Sequence, residues 1–142
     1  MKPHKQLFYA YAMMYRPYIN QLNAELSPFS LSSPYWSIMH RIVNEGPQTI
    51  SDISIRQNVE KPTITKMVQR LGELGYVEAV SGDDKRTRFI QLTDKGREVF
   101  DQVQLKLDIF QKELAEDMSE DEQLMIARAL ENIRKKIENR NF

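Results

Sequence analysis

Between residues 49 and 93 the apolar positions recur twice at helical spacing and then switch to alternation. Thr49 stands three residues before Asp52, a spacing that lets each side chain cap the other's backbone N–H, so a helix is expected over ISDISIRQN. A turn near Asn58 leads to a second expected helix, Pro62 to Leu74, whose proline falls in the first turn, where a missing N–H costs little. On that helix Ile64, Met67, Val68, Leu71 and Leu74 gather on one side. Thr65, Lys66, Gln69 and Glu73 face away, Thr63 and Arg70 lie on the flanks, and Gly75 is the natural stop. YVEAV and FIQL then form the two strands of a ribbon, joined by the charged tip SGDDKRTR. Two short helices and such a ribbon predict a winged helix-turn-helix, here within residues 30–97.

Striped helices flank this unit. Over residues 5–26, Phe8, Ala12, Tyr15, Ile19, Leu22 and Leu26 recur at steps of four and three, a seam suited to a subunit interface or, as the alternative, to packing within one chain, and Pro17 is expected to kink the helix. Tyr9, Tyr11 and Tyr18 fall outside the seam. After the serine-rich SPFSLSS, Ser32 or Ser33 is expected to cap a helix from Pro34 that ends at Gly46–Pro47 and buries Trp36, Met39, Ile42 and Val43. Thr93 is placed to cap a long helix from Asp94 carrying Val99, Val103, Leu107, Phe110 and Leu114. Ser119 and Glu122 make a second capping box, opening a helix striped by Leu124, Ala127, Leu130, Ile133 and Ile137.

Three striped helices are more apolar face than one small winged unit can cover. The expected architecture is therefore mainly α. Residues 1–142 form a single domain, with helices over 5–26 and 98–138 pooled between two copies in a homodimer. Such a dimer sets two recognition helices against a two-fold symmetric site.

Charge refines this picture only slightly. The 20 basic and 20 acidic residues cancel. Residues 56–97 hold nine Lys/Arg against six Asp/Glu, a net of +3, while residues 98–142 hold seven against eleven, a net of −4. A mildly basic middle beside an acidic end fits DNA held on one side only. The chain has no cysteine, hence no disulfide framework, no cysteine-based zinc site and no thiol switch. No run approaches a membrane span, and the basic N-terminus lacks the pattern of a secretory signal, so a cytoplasmic protein is expected. His4 and His40 have no acidic or histidine neighbour at helical spacing, so no metal and no cofactor are expected. Neither a Gly-rich phosphate loop nor a catalytic triad is present, so an enzyme is not expected.

The winged unit does carry chemistry suited to double-stranded DNA. A helix fits the major groove, and short polar side chains near its start reach base edges. Pro62, Thr63, Thr65, Lys66, Gln69 and Arg70 occupy that part of the second helix. Lys85, Arg86 and Arg88, at the ribbon tip, suit the negative potential of a narrow minor groove. Asp84, two residues before Arg86, has three readings: it holds the arginine, it pins the turn, or it is an ordinary solvated loop residue. A rival reading of the whole unit is a winged-helix module that binds protein partners and never DNA.

GDDKRTRFIQLTDKG resembles the wing and following helix start of the MarR family of bacterial transcription regulators. The D-x-R wing is Asp84–Lys85–Arg86, and the L-T-x-x-G signature is Leu92–Thr93–Asp94–Lys95–Gly96. KPTITKMVQRLGELGYV is similar to the family's recognition helix with its exit from Leu71 to Gly75, and LSSPYWSIMHRI to its second helix, with Trp36 as the characteristic tryptophan. The resemblance implies a homodimer with intertwined terminal helices that represses promoters, often its own. It also implies release by a small aromatic or phenolic compound; activation by the same fold is the alternative. It places Thr63, Thr65, Lys66, Gln69 and Arg70 in the major groove and Arg86, oriented by Asp84, in the minor groove. The chain lacks the N-terminal reactive cysteine of the peroxide-sensing branch. An effector pocket is expected near Tyr11, Tyr15, Tyr35 and Trp36, where the first two helices approach the winged unit.

Overall fold

Apolar spacing and local caps account for most of the helix boundaries in the computed structural model, which describes residues 1–140. Helix α1 runs Pro3–Leu26 with Pro17 inside it, and a single 3-10 turn, Ser27–Phe29, follows. Helices α2 (Ser33–Glu45), α3 (Ile50–Gln57) and α4 (Lys61–Glu73) come next. Strands β1 (Val77–Ser81) and β2 (Arg88–Leu92) precede α5 (Asp94–Ala115) and α6 (Glu120–Glu138). The fold is mainly α-helical with one antiparallel hairpin, as the sequence pattern predicts.

By compactness the chain divides into one unit, Met1–Lys106, and a second that begins at Leu107; α5 runs through the division. The core of the first unit is built from Leu22 and Leu26 of α1, Trp36, Ile38, Met39 and Ile42 of α2, Ile53 of α3, and Ile64 and Leu71 of α4. Val77 and Ile90 of the hairpin and Phe100 and Val103 of α5 complete it. Only the last part of the α1 seam is buried in the protomer. Leu22 and Leu26 are covered and Ile19 is half-buried, whereas Phe8, Ala12 and Tyr15 are exposed. In the second unit no residue of α6 is buried, so Leu124, Leu130 and Ile137 lie open to solvent.

Two capping boxes form as expected. Asp52 N–H donates to Thr49 Oγ1 at 3.0 Å and Thr49 N–H to Asp52 Oδ2 at 3.1 Å. The Ser119–Glu122 pair repeats this at 3.2 and 3.1 Å, and these bonds hold the Glu122 carboxyl below the usual carboxylate range. The start of α2 differs from the expectation. Ser32 occupies the cap position without a side-chain bond; instead Asn23, on α1, accepts the Ser33 N–H at 2.7 Å. The cap is tertiary and ties α1 to α2.

Candidate DNA-reading surface

The turn between α3 and α4 is fixed by its own bonds. Asn58 takes the left-handed conformation (φ 54°), which asparagine tolerates. Val59 N–H donates to the Ser54 carbonyl at 3.1 Å, and the Ser54 hydroxyl donates to the Val59 carbonyl. Helix α4 then sets Ile64 and Leu71 into the core and turns Pro62, Thr63, Thr65, Lys66, Gln69 and Arg70 to solvent. Arg70 pairs with Glu73 at 3.5 Å, an exposed contact that adds little stability and leaves the guanidinium available. At the exit Gly75 adopts φ +81°, a left-handed stop, and Tyr76 N–H donates to the Leu71 carbonyl at 2.9 Å.

The wing is positioned at its base. Its strands pair from Val77 with Leu92 to Ser81 with Arg88. Gln48, in the link between α2 and α3, bridges to Ile90: its N–H donates at 3.1 Å and its carbonyl accepts at 2.6 Å. At the tip Gly82 N–H reaches the Thr87 carbonyl and Thr87 N–H the Asp84 carbonyl, both at 2.9 Å. Asp84 Oδ1 accepts the backbone N–H of Arg86 at 3.0 Å. Of its three readings, this geometry is the pinned turn. Asp84, Lys85, Arg86 and Arg88 are all exposed.

The L-T-x-x-G segment joins the wing to α5. Thr93 Oγ1 accepts the Gly96 N–H at 3.0 Å, capping α5, and donates its own proton to the Gly75 carbonyl. Thr93 N–H donates to the Tyr76 carbonyl at 3.1 Å. The exit of α4 and the start of α5 are thus bonded to each other directly.

The aromatic residues fall into two groups. Tyr11 and Tyr15 lie about half exposed on α1, their ring centres 6.1 Å apart. Tyr35 is partly covered, and Trp36 is 7% exposed, stacked on Phe100 at 4.8 Å with 17° between planes. Phe100 lies outside the predicted stripe, next to Val99, yet it is the residue that packs. His40 is exposed, with Asn44 Nδ2 2.8 Å from its Nδ1. Among the described residues no cluster of three or more His, Asp or Glu could hold a metal ion. A further feature without a sequence signal is an open groove of about 450 Å³ lined by Ser54, Ile55 and residues 58–62, beside the start of α4. Ile55 there is 76% exposed.

A helix presenting polar side chains over a buried apolar face, braced by a shorter helix and followed by a cationic hairpin, defines a winged helix-turn-helix DNA-binding protein. Known proteins agree with this geometry. The family described as "Winged helix DNA-binding domain" matches residues 31–96. The HTH-type transcriptional regulator YwoH of Bacillus subtilis (strain 168) is 34% identical over 100 residues, covering 70% of this chain and 73% of that protein. The HTH-type transcriptional repressor IacR of Pseudomonas putida is 29% identical over 107 residues, covering 74% and 64%. The solved structure of Staphylococcus aureus MarR in complex with salicylate and kanamycin superposes with a TM-score of 0.87 at 26% identity, covering 97% of this chain and 94% of that one. The chain belongs to the MarR family of winged helix-turn-helix transcriptional regulators. It is a DNA-binding transcriptional regulator.

Proposed function

We propose that this regulator is a cytoplasmic repressor that binds a two-fold symmetric promoter operator as a homodimer. The observation that carries the reading is the exposed face of α4, where Thr63, Thr65, Lys66, Gln69 and Arg70 stand clear over a buried Ile64 and Leu71, beside a pinned tip carrying Lys85, Arg86 and Arg88. A protein-binding module would cover these groups with a partner of its own kind. A polar, cationic face suits phosphate and base edges better. The dimer is supported by large apolar side chains exposed on the protomer, among them Phe8 and Met14 of α1 and Leu124, Leu130 and Ile137 of α6. The domain roles follow: residues 30–97 read DNA, and 5–26 with 98–138 join the copies.

Repression is the direction of IacR, as its name states. The salicylate held by the staphylococcal MarR supports a small aromatic or phenolic effector here, near Tyr11, Tyr15, Tyr35 and Trp36. Sequencing genomic fragments recovered on the purified protein, followed by footprinting, tests the reading. The expected outcome is a palindromic site overlapping a promoter, protected by a dimer. Recovery of random fragments alone would overturn it.

A further inference from the structure

Tyr76 touches three elements at once. Its N–H closes the end of α4 on Leu71, and its carbonyl accepts the Thr93 N–H ahead of α5. Its hydroxyl donates to the carbonyl of Phe29 at 2.7 Å, across 47 residues of sequence. Phe29 is itself held. It ends the turn after α1, followed by Ser30 in the left-handed conformation (φ 61°), and Leu31 N–H returns to the Leu26 carbonyl at 3.3 Å. Lys106 of α5 lies 5.9 Å from the Phe29 ring centre and 3.5 Å from Glu25 of α1. The connector between α1 and α2 is therefore a fixed point, and the phenol of Tyr76 attaches the exit of α4 to it.

We propose that Tyr76 is a positioning residue: its hydrogen bond to the Phe29 carbonyl sets the angle at which α4 presents Thr65 and Gln69, and so sets discrimination between operator and random DNA. The ring alone would fill the core, as a phenylalanine would; the hydroxyl is needed only for this bond. Burial pushes the phenol above its usual range, which keeps it a donor. Base-edge contacts need placement within about 0.5 Å, whereas charge attraction to phosphates tolerates a tilted helix. Losing the bond should therefore cost specificity and spare non-specific affinity.

The inference rests on α4 being the helix that reads bases, so the test carries a control for that. Tyr76→Phe and Thr65→Ala are compared with the parent, as full-length dimers, by fluorescence anisotropy on operator and scrambled duplexes. Tyr76→Phe should stay folded and dimeric, bind scrambled DNA as the parent does, and lose about fivefold on operator, the size of one net hydrogen bond. A ring-fluorinated tyrosine at position 76, whose phenol is more acidic, should lose operator preference as pH rises through its ionisation, with no such step in the parent. That second protein serves even if Tyr76→Phe folds poorly, because the parent ring is kept. An operator-to-scrambled ratio unchanged in Tyr76→Phe, or independent of pH in the fluorinated protein, overturns the proposal while Thr65→Ala still lowers the ratio. If Thr65→Ala leaves the ratio unchanged as well, the base-reading role of α4 has failed first.

Discussion

A methyl group added at Gly96 would lie 1.9 Å from the carbonyl oxygen of Tyr76. That oxygen is backbone, and it already accepts the Thr93 N–H, so it has little room to retreat. The final glycine of L-T-x-x-G is thus a matter of space between the end of α4 and the start of α5. Alanine is ordinarily the better helix former by about 1 kcal/mol. At this position Gly96→Ala should nevertheless destabilise by about 1–3 kcal/mol, because the clash exceeds the propensity gain. Urea unfolding at fixed protein concentration measures this, and a variant as stable as the parent would show that the junction yields.

Trp36 is the single tryptophan, and it stacks face to face on Phe100. Its emission should be that of a buried indole and resist quenching by acrylamide. If an aromatic effector enters near Tyr11, Tyr15 and Tyr35, titration with salicylate should shift this emission and raise the melting temperature together. Phe100→Ala should cost about 3–5 kcal/mol and open Trp36 to quencher. Absence of any spectral or thermal response across phenols and aromatic acids counts against the pocket.

The parts of the fold legible in sequence are those governed by neighbours a few residues apart. Thr49 with Asp52 and Ser119 with Glu122 sit at a fixed spacing of three, so their caps follow from the chain itself. The outward face of α4 follows from helical period, since Ile64 and Leu71 can be buried only if Thr65 and Gln69 are not. Other features depend on what the fold brings together. Asn23 caps α2 from ten residues back, Phe100 displaces Val99 as the packed residue because Trp36 meets it, and Tyr76 reaches Phe29 across 47 positions. Phe100 differs from the other two in having a local signal: it stands three and seven residues before the buried Val103 and Leu107, at helical period. Asp84 lies between the two cases: sequence leaves three readings open, and turn geometry selects the bond to the Arg86 N–H.

The apolar stripe of α6 gives a test of assembly. Leu130 is 44% exposed in the protomer and Ile133 is half-buried. Replacing both by Asp should abolish the dimer, because burying unpaired carboxylates between subunits is costly. Sedimentation at micromolar concentration should show a monomeric or unfolded double variant and a dimeric parent. A parent that sediments as a well-folded monomer would sink the homodimer, and with it the pairing of two recognition helices on one operator.

The two ways of holding DNA differ in how they respond to salt. Arg86 projects from a short, pinned turn and is exposed, so on the proposed reading its contribution is charge placed in a narrow groove. Arg86→Ala should weaken operator and scrambled duplexes alike and reduce the salt dependence by about one phosphate's worth per subunit. Thr65 and Gln69 are uncharged and stand on the outward face of α4. Their replacement by Ala should leave the salt slope nearly unchanged. It should also narrow the gap between operator and scrambled DNA, by about 1–3 kcal/mol for each side chain that had bonded well to a base edge. Anisotropy across a salt series, on both duplexes, separates the two behaviours in one experiment. An Arg86→Ala protein that remains folded and dimeric yet binds both duplexes as the parent does would remove the wing from the interface. The cationic tip would then be a solvated turn, and sequence reading would rest on α4 alone.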